Sequence, residues 1–178
     1  RSASDLISLD NPNYQYVAAR LLLYAIRKSL YGRLWELPHL YDHITDCIEK
    51  DVYDADILVK YTREEIETLN DVIDHGRDFI FTYAGLRQVA DKYLVQDRSS
   101  GKVYETPQFM YLLIAMTIFA DYPKKTRLDY VTRYYTAISK HRINIPTPIM
   151  GGVRTPLRQF ASCVLVDADD TLDSIFSS

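Results

Sequence analysis

The sequence predicts a mainly α-helical fold with one small β-hairpin and a single late strand. Apolar residues recur at helical spacing in several segments between residues 14 and 140. A period-two pattern interrupts them around the turn-forming residues 97–101. An almost continuous apolar run then follows at residues 160–166, as is typical of a strand buried on both faces of a sheet. We therefore expect a helical scaffold that leads into a sheet.

The amino-acid composition limits the classes of function that this chain can have. The 178 residues are 47% hydrophobic and 25% charged, which fits one globular domain with a core. A net charge of -3 with interspersed signs gives no field that attracts a polyanion, so we expect no nucleic-acid partner. The sequence has neither an apolar run of membrane-spanning length nor a secretion signal at residues 1–9, which predicts a cytoplasmic chain without membrane contact. Cys47 and Cys163 do not form a disulfide framework, and we expect them to be thiols unless chemistry uses them.

Two helices are predicted in the first third of the chain. The first covers residues 14–31 and ends at Gly32. The second begins at Pro38 and ends near Lys50, and Cys47 lies beside its apolar stripe as a small core residue. The apolar face of the first helix is wide and comprises Val17, Leu21, Leu22, Ala25, Ile26 and Leu30.

Start signals mark two of the next three helices. Thr62 and Glu65 have the spacing of a capping box. A further helix is expected over residues 82–93. Thr106 and Pro107 supply an N-cap and a first helical residue to a segment that is apolar on nearly all sides. We expect that helix to be central and buried.

After a last helix over residues 125–140, the pattern changes at Ile143. Extended chain is expected from there, because Pro146 and Pro148 oppose helix formation and restrict the residues before them. The apolar strand at residues 160–166 cannot form a sheet alone. Together with a first residue that is not Met and a last segment that stops within a starting helix, it indicates a piece of a longer protein.

Two histidines raise the question of a metal site. His39 and His43 are four residues apart, so both imidazoles could share one helix face and bind a metal ion. No third ligand stands at a recognisable spacing. A polar helix face is the favoured interpretation, and we predict no metal site.

A glycine pair raises the question of a phosphate site. Gly151 and Gly152 are followed by Arg154, Thr155 and Arg158, and exposed backbone amides with two guanidinium groups could hold a phosphate. The glycine spacing and the lysine of a P-loop are absent. An ordinary loop between strands is favoured.

Cys163 and a group of carboxylates are the remaining candidates. A single cysteine within a strand is more often a small buried hydrophobic residue than a nucleophile. Asp167, Asp169, Asp170 and Asp173 precede or open a helix, where the helix dipole favours carboxylates. Capping explains all four unless a ligand approaches them.

Four segments in order resemble the large, catalytic subunit of class I ribonucleotide reductase, in its N-terminal portion without the ATP-cone domain. The last of them is the most specific, because a Pro-Thr-Pro loop, an Arg-Thr-Pro link and a Ser-Cys strand occur together in it. The segments are NPNYQYVAAR at residues 11–20, KYLVQD at 92–97, YETPQF at 104–109 and PTPIMGGVRTPLRQFASCVLV at 146–166.

The resemblance implies a fold and an activity. Residues 1–142 correspond to the helical N-terminal domain. Residues 143–178 correspond to the start of a ten-stranded α/β catalytic barrel, and the rest of that barrel is expected to come from chain that is absent here. The family reduces ribonucleotides to 2′-deoxyribonucleotides for DNA synthesis by thiyl-radical chemistry, with a redox-active cysteine pair that closes to a disulfide. Cys163 stands at one of these two thiols. The other thiol, the radical cysteine and the catalytic Asn and Glu are not in these residues, so the fragment alone is expected to be inactive.

The resemblance also implies binding residues. Thr147 and Ser162, together with Cys163, match substrate contacts of the family. The residues that match nucleotide effector contacts are Asp170, Thr171 and Leu172 for the allosteric specificity site, and Lys28 for a nucleotide in the preceding domain. No cofactor is implied in this chain itself, because the effectors are dNTP or ATP and the small subunit supplies the radical.

The implied partners are the remainder of the large subunit, possibly as a separate chain, a second large subunit in a dimer, the radical-generating small subunit, and thioredoxin or glutaredoxin. One alternative stays open at this point. Fifteen tyrosines suit a standalone helical interaction module in which Cys163 is merely structural. The exposed apolar edge of the strand at residues 160–166 argues against such a module.

Overall fold

A computed structural model describes residues 3–97, 99–157 and 160–177. Within these residues the chain is mainly helical, with one antiparallel pair of very short strands. In chain order the elements are α1 (Tyr14–Tyr31), α2 (Leu40–Glu49), α3 (Asp56–Lys60), α4 (Arg63–Asn70), a 3₁₀ helix (His75–Ile80), α5 (Tyr83–Lys92), β1 (Gln96–Asp97), β2 (Lys102–Val103), α6 (Pro107–Ile118), α7 (Lys124–Ser139), α8 (Thr147–Gly152) and α9 (Leu172–Ser177).

Helix α6 is the centre of the core, as the sequence predicts. Every residue from Pro107 to Met116 is buried, and α7, α8 and the 3₁₀ helix pack against this helix. Pro107 occupies the first helical position, where its missing N–H has no intrahelical partner. The expected cap at Thr106 is only partly confirmed. Its backbone has N-cap geometry, but its side chain makes no capping bond and its hydroxyl is buried without a partner.

The other predicted helix starts and ends are largely confirmed. The Thr62 hydroxyl accepts the Glu65 N–H at 3.3 Å, and the Glu65 carboxylate accepts the Thr62 N–H at 2.9 Å, which completes the capping box of α4. Helix α1 ends at Gly32, whose φ of 70° requires the left-handed conformation that glycine adopts without strain. The hairpin is present, with Gln96 opposite Val103.

The apolar face predicted for α1 is too wide. Ala19, Leu23 and Ile26 are buried, but Val17 is 44% and Leu21 is 55% exposed. The helix packs on α5 and the 3₁₀ helix along one side only, so the remaining apolar row stays at the surface. Helix α3 and the 3₁₀ helix were not predicted, because elements of five and six residues are too short to show a periodicity.

The C-terminal part differs most from the prediction. Residues 147–152 form the short helix α8, where extended chain was expected. Pro146 precedes this helix and Pro148 lies in its first turn, which is the one part of a helix that tolerates proline.

The strand predicted at residues 160–166 is wrong for this structure. The described residues of that segment form no strand, and Val164 and Leu165 are 75% and 100% exposed. A strand needs a hydrogen-bonded neighbour, and the described residues supply none to it. The barrel and the domain boundary at residues 142 and 143 stay predictions. Among the described helices, none combines the length and the apolar character that crossing a bilayer requires.

Candidate functional site

Thr147 lies at the first position of α8 with an exposed side chain. Its hydroxyl oxygen is 3.4 Å from the hydroxyl oxygen of Tyr93, which follows the last residue of α5. Two hydroxyl groups from distant parts of the sequence are therefore adjacent at the surface. Each can donate one hydrogen bond and accept others.

Arg154 fixes the segment that carries Thr147. Its guanidinium is fully buried and forms an ion pair with the carboxylate of Glu105, with Nε 2.9 Å from Oε2. The guanidinium also donates to the backbone carbonyls of Met150 at 2.6 Å and Tyr93 at 3.0 Å. Burial lowers the pKa of Arg154, but the charge and hydrogen bonds of Glu105, together with Tyr53, outweigh burial, so the net pKa is raised.

This position of Arg154 corrects the phosphate-loop alternative. The guanidinium has its donors directed at protein acceptors in the interior, so it is not free for a ligand. Gly151 and Gly152 lie within α8, where backbone amides bond inside the helix. Arg158, the other cation of that alternative, lies outside the described residues.

Glu105 is the centre of a buried polar network. Besides Arg154, its carboxylate accepts the Tyr53 hydroxyl at 2.5 Å and the Val95 N–H at 2.7 Å. The Tyr53 oxygen in turn is 3.0 Å from Nε2 of His43. Burial raises the pKa of Tyr53 well above its ordinary value and lowers the pKa of His43 to about 4. Both groups are therefore neutral at pH 7, and the network contains one carboxylate balanced by one guanidinium.

The two thiols have opposite surroundings. Cys163 is exposed, and the hydroxyl of Ser162 lies 3.8 Å from its sulfur. Cys47 is 1% exposed, and burial raises the pKa of its thiol to about 12. Cys47 is thus the small core residue that the sequence indicates. The interaction-module alternative requires Cys163 to have a structural role. The structure does not show such a role, because the side chain of Cys163 lies at the surface and not in the core.

The residues expected to bind effectors lie in two separate places. Thr171 caps α9, because its hydroxyl accepts the Ser174 N–H at 3.2 Å. Asp170 and Leu172 beside it are exposed. Lys28 is an exposed residue in the last turn of α1. Among residues 3–97, 99–157 and 160–177, no hydrogen bond or ion pair joins Lys28 to this turn, or Thr147 to Cys163.

The histidine pair does not form a metal site. His43 faces Tyr53 in the core, whereas Nε2 of His39 is 2.9 Å from the carboxylate of Glu67 and its Nδ1 accepts the Tyr41 N–H. In the part of the chain that the structure describes, no group of three or more His, Cys, Asp or Glu side chains is placed to hold a metal ion.

Sequence reasoning missed the network around Glu105. The signal was present, because Glu105 and Arg154 each precede a Thr-Pro pair in segments that carry the family resemblance. The two residues are 49 positions apart in the sequence, so no local pattern shows that they pair. Tyr93 was likewise visible only as part of the segment KYLVQD.

Comparison with known proteins gives the class of the protein. Residues 79–158 match the family described as "Ribonucleotide reductase, all-alpha domain". Over 175 residues, which are 98% of this chain, the sequence is 53% identical to "Ribonucleoside-diphosphate reductase subunit alpha" of Haemophilus influenzae. It is 51% identical over the same span to "Ribonucleoside-diphosphate reductase 1 subunit alpha" of Escherichia coli and 48% identical to the subunit alpha of Enterobacteria phage T4.

The mainly helical fold agrees with an all-alpha domain of ribonucleotide reductase. The chain belongs to the family of ribonucleotide reductase large subunits and corresponds to an N-terminal portion of one. It spans about a quarter of the length of these relatives, since the matched region is 23% of each.

Proposed function

We propose that this chain supplies the helical domain and one redox thiol to the large subunit of a cytoplasmic ribonucleoside-diphosphate reductase. The observation that carries the proposal is the identity of 53% over 98% of the chain with a subunit alpha of that name. The helical domain holds the Thr147 segment through the buried pair of Arg154 and Glu105, so its first task is to position residues for the substrate.

Cys163 is the proposed reductant. Replacing a ribose 2′-hydroxyl by hydrogen breaks the C2′–O bond, releases water and takes up two electrons. Two thiols deliver these electrons and the protons when they close to a disulfide, after a cysteine thiyl radical has abstracted a hydrogen atom from the ribose. The exposed thiol of Cys163 is free for such a bond, whereas Cys47 is held protonated in the core. The second thiol and the radical cysteine belong to chain outside these residues.

Substrate contact is assigned to Thr147 and Ser162. Both carry exposed hydroxyl groups, which are neutral donors suited to the oxygens of a nucleoside diphosphate. Ser162 is also beside the reacting sulfur, at 3.8 Å.

Regulation is assigned to the start of α9 and to α1. The exposed carboxylate of Asp170 is a suitable acceptor for a sugar hydroxyl of a dNTP effector, and Thr171 and Leu172 lie beside it. Lys28 is proposed to approach an ATP effector. Allostery then means that effector and substrate binding share a coupling free energy. The partners in this scheme are the rest of the large subunit, a second large subunit, the small subunit that supplies the radical, and thioredoxin or glutaredoxin.

The test compares two cysteine variants of a complete alpha subunit that contains this chain, assayed with its small subunit. Cys163→Ser is expected to abolish turnover of a ribonucleoside diphosphate, because serine cannot close a disulfide. The matched control is Cys47→Ala, which removes the buried thiol and is expected to retain turnover. Full activity of Cys163→Ser would refute the redox role of Cys163.

A further inference from the structure

We propose that Tyr93 is a positioning residue for the substrate, which orients the hydroxyl of Thr147 toward a phosphate oxygen. The proposal rests on the proposed function, in that Thr147 contacts a ribonucleoside diphosphate. It adds a residue from the helical domain to a substrate site that is otherwise assigned to residues 147–163.

Tyr93 makes contacts through both its backbone carbonyl and its side-chain hydroxyl. Its carbonyl accepts the Nη2 donor of Arg154 at 3.0 Å, and its hydroxyl lies 3.4 Å from the Thr147 hydroxyl. The Nη1 donor of the same guanidinium bonds the Met150 carbonyl at 2.6 Å. One buried cation thus binds the residue after α5 and the third residue after Thr147 in α8. The distance between the two hydroxyl groups is therefore set by the core and not by surface side chains alone.

Hydroxyl chemistry explains what this contact does. A threonine hydroxyl has one hydrogen to donate and two lone pairs to accept with. When Tyr93 donates to the Thr147 oxygen, the threonine hydrogen must point elsewhere and is available to a phosphate oxygen. A hydroxyl that accepts one bond also donates a stronger one, because chains of hydrogen bonds polarise each other. The Lys92 ammonium, 5.4 Å from the centroid of the Tyr93 ring, adds positive charge at the same place.

The experiment is a double-mutant cycle on a complete alpha subunit that contains this chain, assayed with its small subunit. Tyr93→Phe removes only the hydroxyl and keeps the ring, so the fold is retained. The expected result is a KM for a ribonucleoside diphosphate that rises about 3- to 10-fold with kcat within about twofold, as for the loss of one hydrogen bond. Equilibrium binding of the same diphosphate is expected to weaken by the same factor. The matched control is Tyr122→Phe, an exposed tyrosine between α6 and α7, for which KM is expected to be unchanged.

The cycle separates the two proposals. Thr147→Ala is expected to raise KM, and adding Tyr93→Phe to Thr147→Ala is expected to change KM by less than about twofold, because Tyr93 acts through Thr147. If Thr147→Ala raises KM but Tyr93→Phe does not, the positioning role is refuted while the substrate role of Thr147 stands. Independent effects of the two substitutions also refute it. If Thr147→Ala itself leaves KM unchanged, the assignment of Thr147 fails.

Discussion

Arg154 and Glu105 form an ion pair in which neither side chain has any exposed surface. The pair joins the turn after α8 to the residue before the N-cap of α6, so it holds together segments that are 49 residues apart. Removing two charges from water costs several kcal/mol for each ion, and only full pairing and hydrogen bonding offset that cost. Here the guanidinium reaches two carbonyls as well, and the carboxylate also accepts from Tyr53 and Val95.

Glu105→Gln is therefore expected to destabilise the chain by about 3–5 kcal/mol, because it leaves the Arg154 charge buried without its counter-ion. Urea denaturation at pH 7 measures the free energy of unfolding. The double variant Glu105→Leu with Arg154→Met removes both charges together and is expected to recover only part of the loss, because the groups that bonded the pair lose their partners.

The control for this prediction is an exposed pair. Arg33 and Glu36 are 3.0 Å apart with side chains 56% and 82% exposed. Glu36→Gln is expected to cost less than about 0.5 kcal/mol, because water already screens that pair. Equal losses for Glu105→Gln and Glu36→Gln would contradict the account of the buried network.

Two threonines with N-cap geometry are expected to respond differently to substitution. Thr62 accepts a backbone N–H through its hydroxyl, so Thr62→Ala is expected to cost about 1 kcal/mol. Thr106 caps nothing with its side chain, and its buried hydroxyl has no partner. Thr106→Val is expected to leave the free energy of unfolding unchanged or to raise it, because it removes an unsatisfied polar group and keeps the shape. A loss above 1 kcal/mol for Thr106→Val, measured in the same urea titrations, would contradict this reading of the cap.

The helices could be predicted from the sequence because their signals are local. The capping box at Thr62, the glycine at position 32 and the all-round apolar segment of α6 each determine structure within a few residues. The strand at residues 160–166 could not be assessed in the same way. The apolar composition of this segment shows that its side chains favour burial. Whether the segment forms a strand depends on a neighbouring strand elsewhere in the protein.

Long-range pairing explains the other misses. Arg27 lies near the C-terminal end of α1, where the helix dipole favours a cation, yet it is 3% exposed and pairs at 3.0 Å with Asp78, fifty-one residues away. Arg154 reads as a phosphate ligand until Glu105 is known to face it. In both cases the residue type is visible in the sequence, but the partner that decides its role is brought close only by the tertiary fold. The proposed site residues Cys163, Thr147 and Asp170 were accessible only through family resemblance, because none has a diagnostic local pattern.

The two thiols are expected to differ in reactivity. Cys163 is exposed, whereas burial raises the pKa of Cys47 to about 12 and its side chain is 1% accessible. Alkylation needs the thiolate and access to it. Iodoacetamide at pH 8 is therefore expected to modify Cys163 at least tenfold faster than Cys47 in the native chain, as read by peptide mass spectrometry. In urea the two rates are expected to converge, and rapid labelling of Cys47 without denaturant would show that α2 is not packed as described.

Stability is expected to fall in mild acid because of His43, which is buried, and His75, which is partly buried. Burial lowers the pKa of His43 and of His75 to about 4, from an ordinary value near 6.5. Between these values the unfolded chain binds protons that the folded chain does not, so the free energy of unfolding decreases as pH falls from about 6.5 to 4. Asp78 acts in the opposite direction. Burial raises its pKa to about 6, so the folded chain takes up one proton in the same interval.

Protonation of the two histidines favours unfolding, and protonation of Asp78 favours folding. The free energy of unfolding is therefore expected to fall by about 3 kcal/mol between pH 7 and pH 4.5. Urea denaturation at several pH values in this range measures the loss, and NMR titration of the imidazole resonances assigns it. The resonances of His43 and His75 are expected to stay those of neutral imidazole down to about pH 5. If either titrates near pH 6.5 in the folded chain, its burial cannot be the source of the acid sensitivity.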